Sequence, residues 1–503
     1  MDFKAAQKKY ILDNINKKSI KELAEDLGIK ERKIRKFLEK QGIRISPYFS
    51  MNISLKPLYA FILLAIIFIT ALIIRLYPAI ETPETFRDGF GPYGDTFLYH
   101  RAAYNLYKGN GFSGTDDGRA FGLKGEETKL EYEPAITRGP VYPFFISMVY
   151  RILGSKKDME SIQGWHKNLD KVRIVQCILD AMVCILIFLM ARAIYTKPFL
   201  PALIASLLYC FSFYNIYYTR ALLSECVTTF LLSASLLFCI LGLRHDKAYL
   251  WALAGALFGL VILSRTEYIL FPLILMLYMI CIDRQHILSA IKKFLIFLIA
   301  AMIVVMPWTA RNYFIFKKPI PVAVGGVGYN LFLGTFEANK NWRDWNEMPD
   351  NVFDSREEKA VAQSLYSSFQ RSMDAGSIKA KEFDDVLMGL AFERIRKHPV
   401  ECFKNWVIKI PRLWYQFYIP MYRYKEASGN FFIFYFILTL FALWKSAREE
   451  KILIAPICLL FVYLTFIFLP LHIEPRYGVS LMPGIICLAA IGIWKIIDRG
   501  KRE

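Results

Sequence analysis

The chain has 503 residues, is 55% hydrophobic and 16% aromatic, and carries a formal net charge of +19. Its apolar residues are gathered in blocks, several of about 18 or more with few charges, the length that crosses a bilayer core, which excludes a soluble multidomain protein. On a soluble chain the charge would point to nucleic acid; on a membrane chain Lys and Arg collect on cytoplasmic loops, and nine Cys, eight of them inside apolar blocks, argue against a disulfide framework.

Residues 1–46 stand apart. Ile20, Leu23, Ala24 and Leu27 form one helical stripe, Gly28 turns the chain, and Ile34, Phe37 and Leu38 form the next. Ser19 is the expected N-cap, with Glu22 at capping-box spacing. The run SIKELAEDLGIKERKIRKFLEKQGI predicts a cytoplasmic helix-turn-helix domain. Its second helix carries Lys30, Arg32, Lys33, Arg35 and Lys36. Two readings stand: nucleic-acid binding through residues 19–42, or a module that meets protein or acidic lipid headgroups. Tethering to a membrane restricts access to DNA and favours the second.

Ten spans are predicted next, near 57–78, 171–192, 198–218, 222–243, 248–264, 268–282, 291–308, 430–445, 452–470 and 478–497. The first follows a long charged segment without a cleavable signal peptide and reads as an uncleaved anchor. The first 56 residues hold fourteen Lys or Arg. Further cations follow at Arg192 and Lys197, at Arg244 and Lys247, at Arg284, Lys292 and Lys293, at Lys445, Arg448 and Lys451, and at the C-terminus. Most fall on one side if both termini are cytoplasmic. The expected class is therefore an all-α polytopic protein of a plasma (inner) membrane.

Three short outer turns then each hold one Arg and one Glu: Arg220 with Glu225, Arg265 with Glu267, Arg476 with Glu474. Arg on an outer face opposes the orientation rule. Local Arg–Glu pairing is one explanation and an anionic ligand such as phosphate is the other; three repeats favour the ligand. Two long outer segments remain, 79–170 and 309–429. The first predicts an amphipathic helix from Asp95 to about Lys108, ended by Gly109, Gly111 and Gly114. A second short helix from Pro140 to Leu153 is placed along the interface. The other segment has an acidic middle near Asp344 to Glu358. A basic, aromatic stretch from Arg394 to Tyr424 follows, read as helix on the outer leaflet.

No P-loop, nucleotide-binding glycine fingerprint or cysteine metal cluster is present, which argues against an ATP-driven pump. The expectation is no cofactor and no metal, with His100 and His472 the weak points. Asp95 begins the amphipathic helix: it is either a proton acceptor for a hydroxyl nucleophile or simply an N-cap. Glu225, at the start of the fourth span, divides the same way. Asp180 and Gln176 lie within the second span as functional candidates or polar glue, with Arg75 a candidate partner for Asp180.

The segment around Asp95, then TRGPVYPFFISMVYRILG, YYTRALLSEC, LSRTEYILFP, PWTARNYFIF and HIEPRYGVSLMPG, occur in this order. Together they resemble the GT-C membrane glycosyltransferases related to protein O-mannosyltransferases and the lipid A aminoarabinose transferase, over about residues 57–497. The resemblance implies a sugar leaving a polyprenyl phosphate on the outer face. It implies Asp95 as base and Glu225 as a second acid, where better-known members carry Asp. It places Arg138, Arg265, Arg476 and Tyr477 at the donor phosphate, with Arg220, Arg311, His472 and Glu474 as further candidates. The helix-turn-helix has no counterpart there. The partners expected are a polyprenyl-phosphate sugar and a lipid, glycan or protein acceptor, with direct attack inverting the anomeric centre. A flippase for lipid-linked glycans and a membrane-tethered regulator are the competing classes. Large outer loops bearing acids and Arg favour the enzyme, since a transporter places its charged site near the midplane.

Overall fold

The computed structural model describes residues 5–14, 20–29, 33–34, 37–38, 57–81, 95–114, 133–155, 162–195, 199–282, 284–336, 355–375, 377–414 and 425–499. Among them no strand occurs, only one antiparallel bridge between Ser113 and Pro134.

Helices α1 (Ala5–Asn14) and α2 (Ile20–Asp26) open the chain. Ile11, Leu23, Ala24, Ile34, Phe37 and Leu38 bury one another in a small core of their own. Gly28 adopts φ +62°, the left-handed conformation a helix-ending turn requires. The capping residue Ser19 and the basic residues Lys30, Arg32, Arg35 and Lys36 lie outside the described residues.

The membrane part begins with α3 (Pro57–Glu81). Two outer helices follow, α4 (Asp95–Lys108) and α5 (Val141–Leu153). Then come α6 (Ile162–Ile194), α7 (Leu200–Cys210), α8 (Phe213–Tyr218), α9 (Glu225–His245), α10 (Ala248–Ser264), α11 (Phe271–Ile282) and α12 (Ile287–Phe316). Among the described residues six helices have the length and apolarity to cross a membrane: Ile62–Ala79, Lys167–Ile194, Glu225–His245, Arg284–Phe316, Arg448–Phe468 and Arg476–Ile497. The spans expected at 198–218, 248–264, 268–282 and 430–445 are shorter apolar helices. The first of these breaks because the chain turns at Ser212, extended at ψ 100°, before α8 starts. The Glu225–His245 window is 83% buried and Arg476–Ile497 78%, against 22% for Ile62–Ala79 and for Arg284–Phe316. The former two therefore form the centre of the bundle and the latter two its rim. On the rim side α10 lies directly on α12. Gly255 and Gly259, one turn apart, face the backbone at Phe297 and Ala301 so closely that a Cβ would overlap it, the small-residue packing that membrane helices use.

Two expectations for the outer segments change. Helix α4 does span Asp95–Lys108, but it is not a surface helix with a wet polar face. His100, Arg101 and Asn105 are buried along with Leu98 and Ala102. Two of them have internal partners: His100 Nδ1 with the Tyr150 hydroxyl at 2.7 Å, and Asn105 Nδ2 donating to the Ser113 carbonyl at 3.1 Å. The second outer segment holds more helix than the outer-leaflet stretch expected from Arg394 onward. It contains α13 (Val327–Phe336), α14 (Arg356–Asp374), α15 (Lys379–Lys397) and α16 (Pro399–Trp414). Leu331, Phe332, Phe369, Leu387 and Ala391 form its separate core. The acidic stretch near Asp344 falls mostly outside the described residues. The chain closes with α17 (Lys425–Lys445), α18 (Arg448–Phe468), a 3-10 turn over Pro475–Leu481, and α19 (Met482–Arg499).

Candidate active site

Asp95 is the first residue of α4, where the helix N-terminus favours a negative charge. Its two carboxylate oxygens accept from two different guanidiniums. Arg138 Nη2 reaches Oδ1 at 2.6 Å and Arg476 Nη2 reaches Oδ2 at 2.7 Å. Arg138 comes from the Thr-Arg-Gly-Pro turn before α5, and Arg476 from the 3-10 turn before α19. Arg476 Nε also sits 2.6 Å from Glu474 Oε2 and 3.7 Å from Glu225 Oε1. Glu225 begins the central helix α9 and accepts from Arg265 Nη1 at 3.0 Å. Arg265 in turn holds Glu267 at 2.5 Å and lies over the Tyr477 ring, 5.2 Å from its centroid. His472 Nε2 is 3.8 Å from Glu474 Oε1.

Five segments far apart in sequence thus meet in one continuous chain of ion pairs. The structure brings together Asp95, Glu225, Arg138, Arg265, Arg476, Tyr477, His472 and Glu474. Among the described residues four carboxylates face three guanidiniums, formally one charge negative with His472 neutral. Burial alone would raise the Asp95 carboxyl. The guanidiniums of Arg138 and Arg476 outweigh it and hold the group well below the usual carboxylate range. Glu474 behaves the same way: burial raises it, Arg476 and then His472 bring it down to about 2. Both are acceptors only at neutral pH. Glu225 Oε2 and Thr96 Oγ1 are buried there with no hydrogen-bond partner among the described residues.

Local geometry explains how the cluster is held. At Gly139, beside Arg138, a Cβ would overlap the carbonyl of Leu263, two residues before Arg265. The bare glycine lets the two arginine-bearing turns lie against each other. The turn leading into α9 is fixed from α6. Gln176 Nε2 donates to the carbonyls of Thr219 and Ala221, each at 2.9 Å, while its Oε1 accepts from Tyr142 at 2.6 Å. Arg173 Nε holds the Arg220 carbonyl at 3.1 Å.

Two candidates fall elsewhere. Arg220 does not form the local pair expected with Glu225, because the tethered turn directs Glu225 to Arg265 and Arg476. Arg311 donates to the carbonyls of Ala135 (2.9 Å) and Phe112 (3.2 Å) and stacks on Trp308, 4.7 Å from its centroid. It binds the two outer segments together and is no part of the carboxylate cluster. Arg75 and Asp180 do pair, at 2.5 Å within the bundle. Arg75 also donates to the carbonyls of Ala71, Cys210 and Tyr209, and Asp180 accepts from the Tyr209 hydroxyl at 2.6 Å. With every partner satisfied this node suits helix-to-helix glue better than a site. Sequence reasoning missed Thr96 and the Asn330 carbonyl, which receives His472 N at 2.7 Å. Glu267, singled out with its neighbour Arg265, does pair with it in the cluster. Among the described residues, no group of three or more His, Cys, Asp or Glu is placed to hold a metal ion.

Residues 137–310 match the dolichyl-phosphate-mannose-protein mannosyltransferase family. That stretch holds Arg138, Glu225, Arg265 and Glu267. No curated protein matches the chain in sequence. Among solved structures, the archaeal oligosaccharyltransferase AglB from Archaeoglobus fulgidus, in complex with an inhibitory peptide and a dolichol-phosphate, superposes with a TM-score of 0.50 at 12% identity. The match covers 87% of this chain and 50% of that one. The same oligosaccharyltransferase tethered to an acceptor peptide gives 0.51 at 13% identity, over 88% and 50%. ArnT from Cupriavidus metallidurans bound to undecaprenyl phosphate gives 0.34 at 11% identity, over 87% and 78%. The chain spans about half the length of the oligosaccharyltransferases it matches. The similarity thus has two parts, a stretch of 174 residues that matches the mannosyltransferase family and an overall fold like that of the archaeal oligosaccharyltransferase.

Proposed function

We propose that the protein transfers a sugar from a polyprenyl-phosphate donor to an acceptor hydroxyl on the extracytoplasmic face. The observation that carries this reading is Asp95 clamped between Arg138 and Arg476 in a GT-C fold. In one place lie a carboxylate able to take a proton and guanidiniums able to receive a leaving phosphate. Such charged donors are worth most in a partly dry site.

The charge balance dictates how the donor binds. Each guanidinium is already matched, so a phosphate enters by exchange. Arg138 and Arg476 are the more exposed, at 24% and 18% against 10% for Arg265, and they release their hold on Asp95 to take the phosphate. Asp95 then loses two counter-charges just when a base is needed. The acceptor O–H gives its proton to Asp95 and its oxygen attacks the anomeric carbon. The bond from that carbon to the phosphate oxygen breaks, and the phosphate departs with the electron pair onto the two arginines. Attack opposite the leaving group inverts the anomeric centre. Arg265, held by Glu225 and Glu267, keeps the cavity floor rigid.

The test is transfer by the purified chain in lipid nanodiscs, supplied with labelled polyprenyl-phosphate sugars and extracted acceptors. Release of polyprenyl phosphate with labelled acceptor is expected. Asp95→Asn keeps the size and shape of the side chain but removes the base, and should lower turnover by roughly a hundredfold or more while donor binding persists. Near-normal transfer by this folded variant would remove Asp95 from the mechanism. Transport of the donor without chemistry would replace the transferase reading altogether.

A further inference from the structure

Helix α16 is held on its inner side by polar contacts. Asn405 Nδ2 donates to the Thr335 carbonyl at 3.1 Å, and the fully buried Lys409 donates to the carbonyls of Gly334 (3.1 Å) and Leu471 (2.6 Å). Its outer side carries the opposite chemistry. Val400, Phe403, Val407 and Ile408 are all exposed, and their spacing of three, four and one puts them on a single helical stripe. Lys404 stands exposed on the same side, and Arg396 and Lys397 are exposed just before the helix begins. Glu401 at the edge of the stripe pairs with Arg394 at 3.4 Å, and an apolar stripe bordered by these charges fits the boundary between lipid tails and headgroups, where Lys and Arg reach outward to the water.

The far end of α16 shows what covers the stripe. Trp414 donates from Nε1 to Thr465 Oγ1 at 3.0 Å and stacks on Phe461, with ring centroids 4.3 Å apart. Both partners belong to the membrane-crossing helix α18, on which Val462 and Phe466 are also exposed. The stripe therefore runs on from a lipid-facing surface. Gly478, two residues after Arg476, packs against Leu413 and Trp414, so the same helix end touches the turn that carries the candidate phosphate ligand.

We propose that α16 is a membrane-surface anchor, with Val400, Phe403, Val407 and Ile408 seated among the lipid chains of the leaflet next to the active site. The lipid contact stands on the geometry alone. A second consequence rests on the transferase reading: the prenyl chain of the donor passes along this stripe on its way to Arg476.

Single cysteines at Phe403→Cys and Val407→Cys, in a full-length chain cleared of native Cys, would carry an environment-sensitive fluorophore. Ser367→Cys on the exposed side of α14 is the control. In phosphatidylcholine vesicles, quenching at 403 and 407 by a spin label on the lipid chain is expected, with little quenching by aqueous iodide and the reverse at 367. Iodide quenching at 403 and 407 equal to that at 367 would overturn the anchor. So would shielding from both quenchers that grows with protein density, which would assign the stripe to a second copy. For the donor, a folded Phe403→Ser, Val407→Ser variant should raise donor KM about tenfold, the loss expected for roughly one buried apolar side chain, with kcat held. An unchanged KM beside intact lipid quenching would leave the anchor standing and overturn the donor path. A wild-type chain without any transfer would instead sink the transferase reading and leave the quenching result untouched.

Discussion

At the scale of single residues, the site depends on which charges neutralise Asp95. With Arg138 and Arg476 in place its carboxyl is held low, and so is Glu474. A carboxyl whose folded value lies below its unfolded one contributes stability that is fully present above about pH 4. That contribution is lost as pH falls through the folded value, so the resting clamp should be constant from neutrality down to mildly acid pH. On the proposed mechanism, donor binding draws the arginines away and returns Asp95 toward ordinary behaviour. The acid limb of kcat, which reports the bound complex, is therefore expected at higher pH than the acid limb of kcat/KM for the donor, which reports the free enzyme. Coincident limbs in a pH–rate series would mean that Asp95 keeps its arginines throughout. Arg476→Ala and Arg138→Ala should each weaken donor binding by about 1.5–3 kcal/mol, the range for a lost charged hydrogen bond. Equilibrium binding in nanodiscs measures this directly. The identity of these residues was legible in the sequence, because an Arg on an outer face needs a reason. Their pairing was not. Sequence neighbours suggested Arg220 for Glu225, and only the tethers from Gln176 and Arg173 on α6, some forty-five residues upstream, decide which way that turn faces.

At the scale of elements, close backbone approaches fix the site. Gly139→Ala would push the Arg138 turn off the carbonyl of Leu263. Overlap of this kind costs about 1–3 kcal/mol where the surroundings give little. Because Arg138 moves with it, activity should fall further than thermal stability does, as paired melting and transfer assays would show. Gly255→Leu separates α10 from α12, far from the charges, and should lower the melting temperature with a proportionate loss of active protein only. Equal behaviour of the two variants would mean that Gly139 has no special bearing on Arg138. Helix α4 illustrates what hydropathy can and cannot supply. Its limits were readable because Gly109 and Gly111 end it with positive φ. Its burial was not, since the partners that satisfy His100 and Asn105 come from Tyr150 and Ser113, contacts invisible to a helical wheel. Likewise, α14 and most of α15 lie between the acidic and the aromatic stretches, where no element was expected. Their apolar residues become a core only when stacked on α13.

At the scale of the whole molecule, the distribution of Lys and Arg sets the expected orientation. Gln285→Cys, beside Arg284, should be protected from a membrane-impermeant thiol reagent added to intact cells, and Ser367→Cys should be modified. The reverse pattern would put the carboxylate cluster on the cytoplasmic side and end the mechanism proposed for it. The N-terminal residues form a core without any residue of the bundle. We propose that residues 1–46 are a separate domain. Its deletion should leave transfer by the purified protein unchanged, whereas loss of transfer in a well-folded deletion would tie it to the site.

The span from Asp95 to Arg476 has a further consequence for how the protein is made. These two clamp partners are 381 residues apart in the chain. At ordinary rates of synthesis, Arg476 emerges about 20–80 s after Asp95. Within that interval the rest of the first outer segment, residues 96–170, and the whole of the second, residues 309–429, are made. Arg138 can reach Asp95 early, but the second guanidinium arrives with the last helix. The site is therefore among the final features to assemble during biogenesis. A nascent chain arrested before Pro475 would hold Asp95 against Arg138 alone, and on the transferase reading it should be catalytically silent.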